Sequence, residues 1–377
     1  MIFLYIIIIF FILNIIYSIW LYKENLKFYR ELYVNKDGKL ISVHSLYPEY
    51  RLEDKLSFSR ILFGNLLVFP WRMGICVILA ICCIIHLTIL NKLYKNSDSN
   101  INERKKVAFA TSLYTKILLY IFFFEIEEKK IDYEKVYKKY LGDNYDFNDQ
   151  NFSLYICNHI GFFEVIYNMA FNATGFIAKK EVESFPFVGV IAKAIKCLFV
   201  NRENEQSRKK IFEELEERQK NFYNKKSFAP LCLFPEGTTT NGKYLLKFKK
   251  GAFFALLPVK PLIINIDQNA DFHLSIGVAP VWTKSLRSHN YLRNKIIHID
   301  FPVIRPTEFM FKKYKHLGKE KWEIFAEVSR LIMCELGNLK PSNKTFRDSK
   351  IYENACETGI YNENYLNEEQ NEPKKTK

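Results

Sequence analysis

The chain has 377 residues, of which 49% are hydrophobic and 16% aromatic, and its net charge is +14. This apolar content excludes an intrinsically disordered chain and is sufficient for a large core. The basic charge fits nucleic acid, anionic lipid headgroups or phosphorylated small molecules, and charge alone does not distinguish these partners.

Uncharged runs near the N-terminus predict attachment to a membrane. The first run, within residues 1–22, is long enough to cross a hydrocarbon core of roughly 30 Å, and no cleavage site follows it, so we predict a transmembrane anchor. A basic connecting segment, 23–72, follows. The second run, 73–91, predicts a transmembrane or hairpin helix, and 107–124 predicts a membrane-associated helix. A buried core helix is the alternative for each of these two later runs.

The pattern changes after residue 130, where strand-length apolar runs alternate with helical patterns. The predicted strands are 152–157, 175–179, 197–200, 231–234 and 261–266. Buried strands separated by helices predict an α/β domain, over 130–337, whose sheet is covered on both faces. Residues 203–222 predict a surface helix and 322–337 a closing helix. The polar tail, 338–377, is predicted to be disordered.

The stretch CNHIGFFEV, residues 157–165, places a histidine and a glutamate just after a predicted strand. Side chains five residues apart on one helix point about 140° apart, but across a strand, a turn and a helix they can meet. A carboxylate on one imidazole nitrogen raises the basicity of the other. We therefore interpret His159 and Glu164 as a candidate base and its orienting acid. A buried structural histidine and half of a metal site remain alternatives.

In a second stretch, LCLFPEGTTTNGKYLLKFKKGAFF at 231–254, a predicted strand is followed by a glutamate, a glycine and three threonines. Backbone N–H groups and hydroxyls of such a turn can hold a phosphate or carbonyl oxygen. Between the two stretches, Lys180 precedes an apolar segment, and Arg202 follows a strand, where a guanidinium can bind phosphate. A capped turn and surface ion pairs are the structural alternatives.

The ordered set NHxxxxE, KKE…FPFVG…VNR, FPEGTTTNG…FKKGAF and PVKPLI resembles the glycerolipid acyltransferases, over about 150–337. The resemblance implies an α/β acyltransferase domain with a mixed sheet covered by helices, after N-terminal transmembrane helices. It implies that His159 is the general base, which deprotonates a glycerol-backbone hydroxyl that attacks acyl-CoA, and that Glu164 orients it. It further implies an acceptor phosphate site whose residues are Lys180, Arg202, Glu236, Gly237 and Thr238. No metal, bound cofactor or nucleic acid is implied.

Two departures from the family pattern bear on the substrate. The acid of the first motif is Glu164, where the family has Asp. Members acting on lysophosphatidic acid commonly have FPEGTR, and here Thr239 takes the place of that arginine. FPEGTTTNG resembles the branch acting on lysophosphatidylcholine or lysophosphatidylethanolamine, which we therefore expect as acceptors. Lysophosphatidic acid and glycerol-3-phosphate are the alternatives.

Other function classes have weaker support in the sequence. No GxSxG elbow is present, which disfavours a serine hydrolase, and Cys157 follows a buried strand pattern typical of a packed thiol. A basic lipid-binding membrane protein would explain the charge and the apolar runs, but not the ordered motifs. The terminal KKTK, with Lys374 and Lys375, matches a dilysine signal and predicts the endoplasmic reticulum membrane.

Overall fold

The computed structural model describes residues 2–52, 54–94, 101–184, 188–201, 205–228, 230–266, 275, 277–280, 286–288 and 291–365. The α-helices in these ranges are α1 Ile2–Leu26, α2 Val43–Leu46, α3 Phe58–Leu67, α4 Phe69–Leu93, α5 Ile101–Ile121, α6 Glu134–Leu141, α7 Phe163–Asn172, α8 Val188–Ala194, α9 Glu205–Tyr223, α10 Glu308–Lys313, α11 Lys321–Gly337 and α12 Phe346–Thr358. The strands are β1 Tyr33–Lys36, β2 Lys39–Ser42, β3 Phe124–Glu128, β4 Leu154–Cys157, β5 Ile177–Lys179, β6 Leu198–Val200, β7 Cys232–Leu233, β8 Tyr244–Leu245, β9 Val259–Ile266, β10 Asn294–Asp300 and β11 Lys340–Pro341.

The central sheet has five strands in the order β3-β10-β9-β4-β7. Strands β9 and β10 are antiparallel, and the other neighbours are parallel. The predicted α/β class with a mixed sheet is therefore confirmed. Each predicted strand run contains a strand, but β5 and β6 pair in a separate two-stranded sheet. Strands β3 and β10 were not predicted, and β3 places the start of the sheet before residue 130.

Successive residues of β9 pack on opposite faces of the sheet, which is the alternation that a strand imposes. Ile263 packs with Phe325 and Ile332 of α11 on one face. Leu262 and Ile264 pack with α5 and α7 on the other face. Helices therefore cover both faces of the sheet, as the continuous apolar strand runs predicted.

Two helices are long and apolar enough to cross a membrane, by length and composition: Leu4–Leu26 and Phe69–Leu90. Only 11% of each apolar window is buried, unlike the core helix of a soluble domain. These helices contain the predicted runs within 1–22 and 73–91. Their crossing of a membrane stays a prediction.

Helix α5, predicted within 107–124, has two faces of different character. One face is buried against the domain and includes Val107 and Leu119. Its other face exposes an apolar stripe, which consists of Phe109, Leu113, Ile117 and Tyr120. The buried face resembles that of a core helix, which was the alternative interpretation of this segment. An exposed apolar stripe of this length is typical of contact with lipid or protein, and association with a membrane stays a prediction.

The polar tail, predicted to be disordered, is helical at Phe346–Thr358, and this prediction was wrong. Helix α12 begins at a capping box formed by Thr345 and Asp348. Its buried residues Ile351, Tyr352, Ala355 and Cys356 share one face and pack on the segment predicted as a basic connection, 23–72. The Tyr352 hydroxyl lies 2.6 Å from His44 Nδ1. Residues 366–377, with the candidate dilysine signal, lie outside the described ranges.

We expect the change Tyr352→Ala to destabilise the protein by about 3–5 kcal/mol. The side chain is 1% exposed, and truncating a large aromatic leaves a cavity whose cost is in this range. The change also removes the hydrogen-bond partner of buried His44. The measurement is chemical unfolding in detergent, with Tyr33→Ala as the control because Tyr33 is 62% exposed. Equal losses in the two variants would contradict the contribution of α12.

Candidate active site

His159 and Glu164 meet at the carboxyl end of the central sheet. Strand β4 ends at Cys157, a turn follows, and α7 begins at Phe163, so the two side chains face each other. His159 Nδ1 lies 2.7 Å from Glu164 Oε1. That oxygen also accepts the backbone N–H groups of Ile160, at 3.2 Å, and Gly161, at 2.7 Å. Glu164 is fully buried, so the acid is fixed where it can hold the imidazole in one orientation.

The turn that carries His159 is fixed on the side of β9 by Asn158. The Asn158 amide donates to the carbonyl of Ile264 at 2.9 Å and accepts its N–H at 2.8 Å. The side chain therefore continues the ladder of the sheet beyond the end of β4. The imidazole of His159 stacks on Phe234, with ring centroids 4.3 Å apart. With Nδ1 facing Glu164, Nε2 is the ring nitrogen left for a substrate.

Glu236 holds the backbone of the turn that carries His159. Its Oε1 accepts the N–H of His159 at 2.8 Å, and its Oε2 accepts the N–H of Leu246 at 2.9 Å. The side chain is 1% exposed. Both oxygens accept backbone donors inside the protein, so Glu236 positions the turn that carries His159. Its predicted contact with substrate stays a prediction.

We expect the folded state to lose stability as the pH rises, because of Glu236. Burial raises its pKa from 4.5 to about 8, against the two amide donors, which lower it. The folded protein therefore binds this proton more tightly than the unfolded chain, so the stability that it adds is lost between about pH 5 and pH 8. Glu236→Gln removes the titration and should flatten the fall of the thermal unfolding midpoint across this range. The exposed Glu213→Gln is the control, and equal slopes in wild type and Glu236→Gln would contradict the assignment.

The turn after Glu236 is held by distant parts of the chain. Gly237 adopts φ +72°, a left-handed conformation that glycine adopts without strain. The Thr238 hydroxyl donates to Ser349 Oγ of α12 at 3.1 Å, and the Thr239 hydroxyl donates to the Gly277 carbonyl. Thr238 was predicted to bind substrate. The structure instead gives its hydroxyl a partner within the protein, which reduces its availability for a phosphate.

Lys180, a further predicted site residue, is not brought to this site. Lys180 is exposed and pairs with Glu183, in a 3₁₀ turn at Lys180–Ser184. It is not among the described residues that line the cavity beside His159. Arg202 lies outside the described residues.

A cavity of about 490 Å³ opens beside His159. Its lining includes the side chains of His159 and Lys249, and Lys249 passes over Gly237. The rest is mainly apolar, with lining residues that include Ile177, Ile211, Phe212, Leu215, Phe234 and Phe346. Sequence reasoning missed Lys249 as a site residue, and it missed Phe346, which comes from the segment predicted as a disordered tail. The shape suits a ligand with one polar end and a long apolar part.

The thiol alternative at Cys157 does not fit this geometry. The side chain is fully buried. Burial raises the pKa of the Cys157 thiol well above its usual value, which disfavours the thiolate that a nucleophile requires. Cys157 is a packed core residue, as predicted.

Comparison with known proteins agrees with the motifs. Residues 138–271 match the sequence model of the family described as Acyltransferase. The chain is 32% identical over 202 residues to the lysophospholipid acyltransferase LPEAT1 of Arabidopsis thaliana, covering 52% of this chain and 48% of that protein. It is 29% identical over 212 residues to LPEAT2 of the same organism, covering 56% and 37%. It is 27% identical over 204 residues to human lysophosphatidylcholine acyltransferase 1, covering 52% and 35%. The chain thus spans about half or less of the length of these relatives.

Among solved structures, the chain is similar to the 1-acyl-sn-glycerophosphate acyltransferase PlsC of Thermotoga maritima, with a TM-score of 0.43 and 16% identity. This likeness covers 71% of this chain and 97% of that one. The match to the family model contains His159, Glu164 and the whole of 231–254. Residues 138–271 are therefore similar to the acyltransferase family, in agreement with the motifs of the sequence.

Proposed function

We propose that this protein is a membrane-bound enzyme that transfers an acyl group from acyl-CoA to the free hydroxyl of a lysophospholipid. The observation that carries the proposal is the pair His159–Glu164, whose imidazole lines an otherwise mainly apolar cavity. The match of residues 138–271 to the acyltransferase family model supports acyl transfer. The names of the relatives support a lysophospholipid as the acceptor.

The proposed reaction needs one base and no covalent enzyme intermediate. His159 Nε2 takes the proton of the acceptor hydroxyl while its oxygen attacks the thioester carbonyl, and the buried carboxylate of Glu164 stabilises the imidazolium that forms. The tetrahedral intermediate collapses, the C–S bond breaks, and the imidazolium returns the proton to the departing CoA thiolate. The products are a diacyl phospholipid and free CoA. Neither a metal nor a bound cofactor is part of this proposal.

The exposed apolar helices support a location in a membrane. Helices α1 and α4 offer two candidate spans, and α5, which packs against α4, exposes an apolar stripe. A lysophospholipid would then reach the site from the bilayer. We propose the endoplasmic reticulum membrane, on the sequence signal at Lys374 and Lys375.

We propose lysophosphatidylcholine or lysophosphatidylethanolamine as the acceptor headgroup. Thr239 occupies the position where the related motif carries an arginine suited to a phosphate monoester, which bears up to two negative charges. Threonine is neutral, so this position adds no charge to the site. The Thr239 hydroxyl donates to the Gly277 carbonyl within the protein. A phosphodiester has a single negative charge and needs less compensation.

The test is an acyl-transfer assay in membranes that lack background activity. The full chain receives labelled oleoyl-CoA and one of five acceptors: lysophosphatidylcholine, lysophosphatidylethanolamine, lysophosphatidylserine, lysophosphatidic acid or glycerol-3-phosphate. We expect a labelled diacyl product from the first two acceptors. Product from lysophosphatidic acid or glycerol-3-phosphate alone would overturn the headgroup. The absence of product with all five would overturn acyl transfer and favour a lipid-binding role.

A further inference from the structure

The lining of the cavity contains a lysine that the predicted phosphate site does not include. Lys249 is exposed at the opening of the cavity and lines it together with His159 and Gly237. Lys180, which was predicted to bind a phosphate, is not among the described residues that line this cavity. Among the described residues that line this cavity, Lys249 is the one that carries a formal positive charge at neutral pH.

The position of Lys249 is fixed by the FPEGT turn. Its backbone N–H donates to the Pro235 carbonyl at 2.9 Å. Its side chain passes over Gly237, where a Cβ would overlap the ammonium group and the last carbons of the lysine. The ammonium lies 5.7 Å from the ring centre of Phe346. Gly237 thus serves a second purpose beside its left-handed turn, because it leaves room for the amine against the backbone.

The neighbouring lysine points elsewhere. The Lys250 ammonium lies 4.4 Å from the ring centre of Phe254 and 5.6 Å from that of Trp322. Lys250 is not among the residues that line the cavity. The run 247–250 is therefore not a uniform basic surface, because the ammonium groups of Lys249 and Lys250 lie beside different aromatic rings.

Resting on the proposed function, we propose that Lys249 binds the phosphate of the lysophospholipid acceptor. An ammonium at the opening neutralises the single charge of a phosphodiester, which the neutral Thr239 leaves uncompensated. In this arrangement the phosphate contacts Lys249, the free hydroxyl reaches His159, and the acyl chain follows the apolar lining. CoA also carries phosphates, so the test separates the two substrates.

The test compares Lys249→Met, Lys249→Arg and Lys250→Met in the full chain. We expect Lys249→Met to raise the KM for lysophosphatidylethanolamine roughly 10-fold or more, which is the usual scale for losing a charged hydrogen-bond donor. The KM for oleoyl-CoA should stay within about two-fold, and Lys249→Arg should restore most of the loss. Lys250→Met should behave as wild type. With monoacylglycerol, an acceptor without phosphate, Lys249→Met and wild type should have equal rates.

Three results would overturn the proposal. The first is a raised KM for oleoyl-CoA with an unchanged KM for the acceptor, which would assign the amine to a CoA phosphate. The second is an equal loss with monoacylglycerol, which would indicate a structural role. The third is an equal effect of Lys249→Met and Lys250→Met, which would indicate a general loss of surface charge.

A binding measurement separates this proposal from the proposed function. Labelled lysophosphatidylethanolamine is bound to the detergent-solubilised protein without acyl-CoA, so that no turnover is required. Weaker binding by Lys249→Met, with wild-type binding by Lys250→Met, would support the phosphate contact even if no acyl transfer were found. Equal binding by all three proteins, in an enzyme that transfers acyl groups, would overturn the contact and leave the function standing.

Discussion

Replacing His159 with alanine is expected to lower kcat for acyl transfer by roughly 10²–10⁴-fold, the usual contribution of a positioned general base. Alanine removes Nε2, which takes the proton, and it removes the ring that stacks on Phe234. The turn itself should persist, because the His159 N–H still donates to Glu236 and its carbonyl still accepts the Thr240 N–H. The fall is measured as single-turnover formation of diacyl product at saturating substrates.

The control for this change is His316→Ala, since His316 is exposed and outside the cavity. Its rate should equal that of wild type. The thermal unfolding midpoint of His159→Ala should also stay close to that of wild type, which would separate lost chemistry from lost folding. A His159→Ala protein that keeps more than about a tenth of the wild-type rate would contradict the role of base.

Glu164 gives the second large effect, and two substitutions distinguish charge from reach. Glu164→Gln keeps the shape of the side chain but removes the charge that stabilises the imidazolium, so we expect kcat to fall roughly 10²–10³-fold. The Gln carbonyl can occupy the place of Oε1, where three donors converge. Its NH₂ group then falls at the place of Oε2, which is buried and has no hydrogen-bond partner among the described residues.

Glu164→Asp keeps the charge but shortens the side chain by one methylene, about 1.5 Å. The carboxylate would then fall short of His159 Nδ1, and a displacement near 1 Å typically costs about 10²-fold. Aspartate is the residue that the family pattern carries at this position, so the result is informative in either direction. A fully active Glu164→Asp would show that the turn at 158–162 relaxes to restore the contact. The assay is the same diacyl product measurement, with thermal unfolding as the control for folding.

The features predicted well from the sequence depend on short stretches of chain. Five apolar runs gave strands, because a buried strand is apolar over its own length. The contact between His159 and Glu164 was foreseen because only a strand end, one turn and the first turn of a helix separate them. Their catalytic roles stay predictions, since geometry alone does not measure chemistry.

The features that were missed depend on residues far apart in the chain. The Thr238 hydroxyl donates to Ser349, which is 111 residues away in the sequence, and no local pattern indicates that partner. Lys180 pairs with Glu183 because the segment forms a 3₁₀ turn, which composition does not predict. Helix α12 was not predicted because the segment is polar in composition. Its apolar residues nevertheless repeat at helical spacing: Ile351, Tyr352, Ala355 and Cys356. That periodicity is the signal that could have found it.

The loop at 236–241 is held by segments that lie far apart in the sequence, and this has a consequence for biosynthesis. The Asn241 side chain donates to the carbonyl of Pro48, while Glu49 accepts from Ser342, 293 residues later. At a translation rate of 5–20 residues per second, that interval takes roughly 15–60 s. During this time helix α1 has already left the ribosome, while the turn beside His159 still lacks the contact between Thr238 and Ser349. The surroundings of the candidate site are therefore completed only after residue 349 has been synthesised.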